Sequence, residues 1–261
     1  MQTEIPVHEL EHLLEIKRHW IDERKAKTPL DAVRAIASLQ RRPEPLLCTV
    51  GGSSVTFLGV IGHAGKPGYD PVALALRFKR FGIDGFSLQT DAVVNSQPYT
   101  DGVEDLALVT RAVRAPVVWQ DYVVDEYQVI EARAAGASAV TLSARHLDSS
   151  ALRTLISATQ RNRMAAVVNV SDLHEMTTAL AFSPQVITIG SRRRDGTLNL
   201  ALLEQLRAQV PSHIRVAIAP AIRTLDEARS LAALQPDAVM IAASWISQSD
   251  GIESLRRLFT A

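Results

Sequence analysis

The chain has 261 residues, 47% hydrophobic and 21% charged, which is the balance of a soluble globular protein long enough for one α/β barrel domain. Lys+Arg and Asp+Glu each total 28, so no net field draws nucleic acid or an anionic membrane, and neither is an expected partner. Cys48 is the only cysteine, which leaves no intrachain disulfide or thiolate cluster, and no apolar run approaches the ~18–20 residues that span a bilayer.

The first segment, Met1 to Arg24, alternates charged and apolar residues and does not read as a signal peptide, so a cytoplasmic protein is expected. Within Glu9–Lys25, residues Leu10, Leu13, Leu14, Ile16 and Trp20 fall near helical spacing, and Pro29 opens a second helix reaching about Leu39. Arg41–Pro45 reads as a linker. The expected organisation is a helical arm over residues 1–45 that caps the barrel, then the barrel itself over 46–261.

From about residue 55 one unit repeats: a short β-rich run, a polar turn and an amphipathic helix. The predicted strands are Val55–Gly62, Gly85–Gln89, Val117–Asp121, Ala139–Leu142, Ala165–Val170, Val186–Gly190, Val216–Pro220 and Ala238–Ala242. Their continuous apolar character suits parallel strands buried on both faces. The predicted helices are Val72–Phe81, Val103–Val113, Tyr127–Ala135, Ser150–Arg161, Leu173–Leu180, Leu200–Gln209, Thr224–Leu234 and Ile252–Phe259. Helix-start signals agree, among them Asp148-Ser149-Ser150 and Thr224 with Glu227 three residues on. Eight strands alternating with eight helices predict a closed (β/α)8 TIM barrel. An open doubly wound sheet is the alternative, but no G-x-G-x-x-G follows the first strand.

At Asp121–Gly136 the chain reads DYVVDEYQVIEARAAG, followed by ASAVTLSARHL. This resembles the third strand, loop and helix of indole-3-glycerol phosphate synthases, whose pattern is D-F-I-I-D-x-Y-Q-I-x-E-A-R-x-x-G-A-D-A. The ERKAKTP segment, Asp70-Pro71-Val72-Ala73-Leu74-Ala75, Thr90-Asp91, Val103-Glu104-Asp105-Leu106 and Asp172-Leu173-His174-Glu175-Met176 extend the resemblance over nearly the whole chain. It implies the same barrel and a lyase- or cyclase-type ancestry. The family closes an indole ring on a carboxyphenylamino-deoxyribulose phosphate with loss of carbon dioxide and water, which calls for positioned acids, a base, and groups for carboxylate and phosphate.

The resemblance also marks where the chain departs. Val60 and Gly62 stand at the Glu and Lys of the first-strand A-E-I-K, and Gly65 at the first Ser of S-P-S. Gln120 replaces the third-strand Lys, the family's principal acid, and Asn169 the fifth-strand Glu. In place of I-N-N-R the sixth strand ends Ile189-Gly190-Ser191-Arg192, keeping the Arg. The seventh has Ala219-Pro220-Ala221-Ile222 for E-S-G-I, and the eighth Ile241-Ala242-Ala243-Ser244, keeping one Ser. An amide has no proton to exchange near neutral pH, and losing one positioned acid typically costs ~10²–10⁴-fold in rate. The usual ring closure is therefore not expected.

The residues expected to carry any remaining chemistry are His63, Gln120, Asp121, His146 and Asn169, with the two histidines as acid/base groups. Arg192 is expected to hold a carboxylate in its guanidinium fork, with Ser191, Ser244 and Trp245 as further ligand contacts. Asp91, Arg145, Ser171 and Arg223 also fall at the barrel mouth. A metal on His63, His146 and Asp121 is outweighed, because no H-x-H or H-E-x-x-H spacing is present, and neither metal nor cofactor is expected. Lys66, the one lysine near the mouth, reads as a solvated turn. Strand parity turns Gln120 inward and Trp119 toward the helices. Two functions follow: a repurposed enzyme or binder for an aromatic carboxylate in tryptophan- or indole-related specialised metabolism, or a non-catalytic barrel that regulates other enzymes through a protein partner or as a homo-oligomer.

Overall fold

A computed structural model describes residues 7–47, 55–62, 67–91, 93–94, 97–98, 101–193, 195–247 and 251–259. Eight parallel strands close a barrel: β1 (Thr56–Ile61), β2 (Gly85–Gln89), β3 (Val117–Gln120), β4 (Ala139–Ser143), β5 (Ala165–Val170), β6 (Val186–Ile189), β7 (Arg215–Ile222) and β8 (Ala238–Ile241). Each pairs with its sequence neighbours, and β1 pairs with both β2 and β8. The molecule is a (β/α)8 TIM barrel with an N-terminal helical extension. In β7 the pairing with β8 shifts between Ile218 and Ile222, so the Ala219-Pro220-Ala221 stretch bulges at the C-terminal rim.

The helices begin where short acceptor side chains can satisfy orphan amides. Asp70 accepts from the Ala73 amide at 2.8 Å ahead of α3 (Pro71–Arg80), with Pro71 at its first turn. α4 spans Gly102–Ala112, and α5 spans Glu126–Ala134 behind an Asp125–Gln128 capping box. Asp148 caps α6 (Ser149–Arg161) and Asp172 caps α7 (Leu173–Leu180). α8 (Leu200–Gln209) follows β6, Thr224 caps α9 (Leu225–Ala232), and a 3₁₀ turn (Ala243–Ser247) leads into α10 (Gly251–Phe259). Preceding the barrel, α1 is Val7–Lys27 and α2 is Leu30–Leu39.

Alternating side chains divide the core in two. Outward residues such as Phe57, Phe86, Trp119, Leu142, Val168 and Ile187 pack beneath the helices. Inward residues Leu58, Val118, Ala139, Val167, Val186, Ala217 and Ala238 fill the lower lumen, which Leu46 closes from below. Trp119 thus lies on the helix side, buried, with its indole N–H donating to Thr90 Oγ1 at 2.9 Å.

The arm runs along the flank of α5. Leu10 and Leu14 pack on Tyr122 just past β3, while Ile21, Val33 and Ala37 pack on Tyr127 and Ile130. The DYVVDEYQVIEAR segment supplies most of the polar contacts: Lys17 pairs with Asp121, Lys25 with Asp125 and Arg24 with Glu131. The Tyr127 hydroxyl donates to Thr28 O at 2.9 Å, and Arg133 donates to the carbonyls of Gln40 and Arg41. Fully buried Gln128 pins the loop ahead of α5 by donating to Tyr122 O and accepting from the Val124 and Asp125 amides. The most recognisable stretch of the sequence is thus a docking strip for the arm.

Candidate functional site at the barrel mouth

Strand parity and burial place one inward residue on or just past each strand at the C-terminal rim: Val60, Gln89, Gln120, Ser143, Asn169, Gly190, Ala219 and Ala242. Each is half-buried, whereas the inward residue two positions earlier on its strand is buried. The lumen therefore opens to solvent at this level, at the end where (β/α)8 enzymes carry their sites. The ring is two-sided. From β2 to β5 it offers amides and a hydroxyl; from β6 through β8 to β1 it offers methyl groups, an isopropyl and a bare glycine. Gly190 is required sterically, because a Cβ there would sit 2.3 Å from Ala219 O.

On the polar arc, Gln120 Nε2 donates to Asp91 Oδ2 at 3.0 Å, and Gln89 Nε2 lies 3.5 Å from Gln120 Oε1. Removal from water raises the Asp91 carboxyl to about 6; the Gln120 bond opposes this and the charge of Asp121 adds to it. Asp121, expected to face the chemistry, is instead buried under the arm. Lys17 Nζ lies 2.6 Å from Oδ1, which also accepts from the Tyr122 amide, and Thr90 Oγ1 donates to Oδ2 at 2.8 Å. Its geometry is that of an anchor. α4 can start this close to it only because Gly102 lacks a side chain: a Cβ there would lie 2.8 Å from Asp121 Oδ2.

His146 follows β4 and packs against the Tyr122 ring, centroids 5.9 Å apart. Burial, reinforced by the Arg145 charge, lowers its imidazole to about 4. It is therefore neutral at pH 7 and can serve as an acceptor rather than as a cationic acid. An NMR titration should put the His146 midpoint near 4; a midpoint near the ordinary ~6.5 would mean that the ring lies in water.

Asn169 stands in the ring on β5, and Ser191 is half-buried just after β6. Arg192 already holds a carboxylate, that of Glu227, in a fork of 2.6 and 3.0 Å. Its guanidinium also donates to Gly196 O and Ala221 O. A ligand carboxylate would have to exchange with Glu227. Trp245 is buried, its indole N–H donating to Ile222 O at 3.0 Å, so its ring is unavailable for stacking, while Ser244 beside it is exposed. The shift at Ile222 and the 3₁₀ turn fold the indole under the rim. His63 and Lys66 lie outside the described residues. Ser171, another mouth candidate, donates through both its amide and hydroxyl to Glu175. Among the described residues no group of three or more His, Cys, Asp or Glu could hold a metal ion.

Three residues in these contacts had no role at the mouth assigned from sequence. Gln89 has the same parity and rim level as Gln120, and counting strand positions would have found it. Lys17 and Glu227 carry no such signal, because their partners are remote in sequence. A cleft of about 370 Å³ at the opposite face, bounded in part by Lys79, Asp84 and Arg114, belongs to the end of the barrel that serves stability. There Asp84 accepts from the Phe57 amide and from Arg256.

Comparison with known proteins agrees with this architecture. The family model for indole-3-glycerol phosphate synthase matches residues 10–258. Indole-3-glycerol phosphate synthase of Campylobacter hominis is 26% identical over 88% of this chain and 85% of its own length. That of Campylobacter jejuni is 24% identical over 95% and 99%, and that of Leptothrix cholodnii is 31% identical over 73% and 72%. Among solved structures, 3-hexulose-6-phosphate synthase of Salmonella typhimurium superposes with a TM-score of 0.61 at 15% identity, covering 79% of this chain and 97% of that one. N-acetylmannosamine-6-phosphate 2-epimerase of Clostridium perfringens gives 0.59 at 14%, covering 72% and 86%; these two likenesses concern the fold alone. With a family match over nearly its full length and a barrel in the corresponding arrangement, the chain belongs to the indole-3-glycerol phosphate synthase family.

Proposed function

We propose that this barrel does not perform the decarboxylating indole ring closure of its family and acts instead as a repurposed enzyme or binder for an aromatic carboxylate in tryptophan- or indole-related metabolism. The observation that carries the reading is the neutral ring at the mouth. Gln120 and Asn169 reach the rim where the resemblance calls for an ammonium and a carboxylate, and Val60, Gln89, Ser143, Gly190, Ala219 and Ala242 fill the rest of the ring without a charge. Such a ring orients a flat ligand by hydrogen bonds on one side and apolar contact on the other, which is how small-molecule sites are generally built.

The test is turnover of the carboxyphenylamino-deoxyribulose phosphate, followed by indole fluorescence beside the Campylobacter jejuni relative. At least two acid/base positions are changed, each worth ~10²–10⁴-fold, so the rate should fall at least ~10⁴-fold below that relative. A comparable rate would end this reading. The Arg192–Glu227 fork favours a second reading, a non-catalytic barrel acting through a protein partner, because the main cation kept at the mouth is already neutralised. Binding of aromatic carboxylates separates the two: the first requires it and the second does not.

A further inference from the structure

We propose that Asp91 is a proton-exchanging group of the mouth, and that it receives an N–H or O–H of an aromatic carboxylate whose carboxylate end is directed to the opposite wall. The inference rests on the ligand class proposed above and adds to it the group on the far side of the ring. In the closed strand order, β2 and β6 lie four strands apart in an eight-stranded barrel, hence across the mouth from one another. Asp91 directly follows β2, and Arg192 follows β6. A ring lying between them turns its anionic end toward the β6 wall, where it has to exchange with Glu227 for the guanidinium, and its donor toward the carboxyl.

The surroundings of Asp91 suit an acceptor that exchanges a proton. Gln120 Nε2 already donates to one oxygen and fixes the carboxyl's orientation, and the Gln89 amide stands beside Gln120. Among the described residues the charged groups bearing on it are Asp121, just after β3, and Lys17 on α1, which are paired with each other at 2.6 Å. The Tyr122 phenol also faces it, held above its ordinary range by burial and by the charges of Asp91 and Asp121. No neighbour among these is a second proton carrier near neutrality. The carboxyl raised to about 6 is half protonated under mildly acidic conditions, so a donor from the ligand drives its proton into solvent. Gln120 is then a positioning residue: it keeps the site of the lost ammonium but works through Asp91.

The test is calorimetric titration of the full chain with 4-aminobenzoate, whose amine and carboxylate lie at opposite ends of the ring, and with benzoate, which lacks the donor. Titrations at about pH 6 in two buffers of different ionisation enthalpy count protons released. A carboxyl half protonated at that pH predicts release of about half a proton with 4-aminobenzoate and little with benzoate. Asp91→Asn should bind with the release abolished, and Gln120→Leu should move the pH of maximal release upward, since the Gln120 bond holds the carboxyl down. Binding of 4-aminobenzoate without proton release, or equal release with benzoate, overturns the Asp91 assignment. Failure of both ligands to bind at any pH overturns the underlying ligand class instead, so the two failures are distinguishable.

Discussion

Lys17→Met should destabilise the protein by about 3–5 kcal/mol, the cost of removing one partner from a buried ion pair and leaving the other charge uncompensated. The lysine and aspartate side chains are 3% and 1% exposed and meet at 2.6 Å, so water cannot replace the lost ammonium. For a chain of this size that corresponds to a fall in Tm of roughly 10 °C. The loss is not confined to one bond. Asp121 also accepts from Thr90, which in turn receives the Trp119 indole N–H, so β2, β3 and α1 are joined through one carboxylate. Thermal denaturation followed by tryptophan fluorescence reads it directly. Lys17→Met combined with Asp121→Asn should recover a large part of the loss, because the orphaned charge is gone; the double-mutant cycle isolates the pair from the separate effect of altering a lysine packed on the inner face of the arm. Strictly additive losses would show that the two groups act independently.

The barrel was legible because parallel strands buried on both faces leave continuous apolar runs, and because short acceptors mark the helix starts. β6 was predicted to within one residue, and strand parity alone assigned Trp119 to the helix side. What parity cannot give is the pairing of rim groups that lie far apart in sequence. Arg192 was expected to be available to a ligand, but its partner lies 35 residues later on α9. Glu227 did announce itself as a helix-start residue, and its amide does donate to Thr224 Oγ1 at 3.2 Å. Its carboxylate is what the pattern concealed: beyond the helix start, it neutralises the Arg192 guanidinium. Trp245 was concealed for a different reason. Its direction is set by the turn after β8 and the shifted β7–β8 pairing, which no period of two records.

Glu227→Ala should weaken folding by about 2–4 kcal/mol, nearer the buried than the exposed end of the range for ion pairs, since the two side chains are only 13% and 17% exposed. It also deprives the Arg223 amide of its acceptor at 2.8 Å. Burial alone would raise the Glu227 carboxyl, but the bonds from Arg192 and the Arg223 amide, with the Arg192 charge, outweigh it and hold the group below its ordinary range. A depressed folded-state pKa stabilises above the unfolded value and is lost as pH falls through the folded one. The destabilisation by Glu227→Ala should therefore be full near neutrality and shrink in acid below the ordinary glutamate range. The same substitution frees the guanidinium fork. If Arg192 is a carboxylate site held shut by an internal carboxylate, benzoate should bind the variant about tenfold more tightly than the parent chain, in line with the ~1.5–3 kcal/mol of a hydrogen bond to a charged group less the cost of ordering the ligand. Arg192→Ala should lose that gain in the Glu227→Ala background while costing similar stability on its own. Unchanged benzoate affinity in Glu227→Ala would leave the pair only as a strut tying the β6 loop to α9, and a ligand carboxylate would then have to be received elsewhere on the rim.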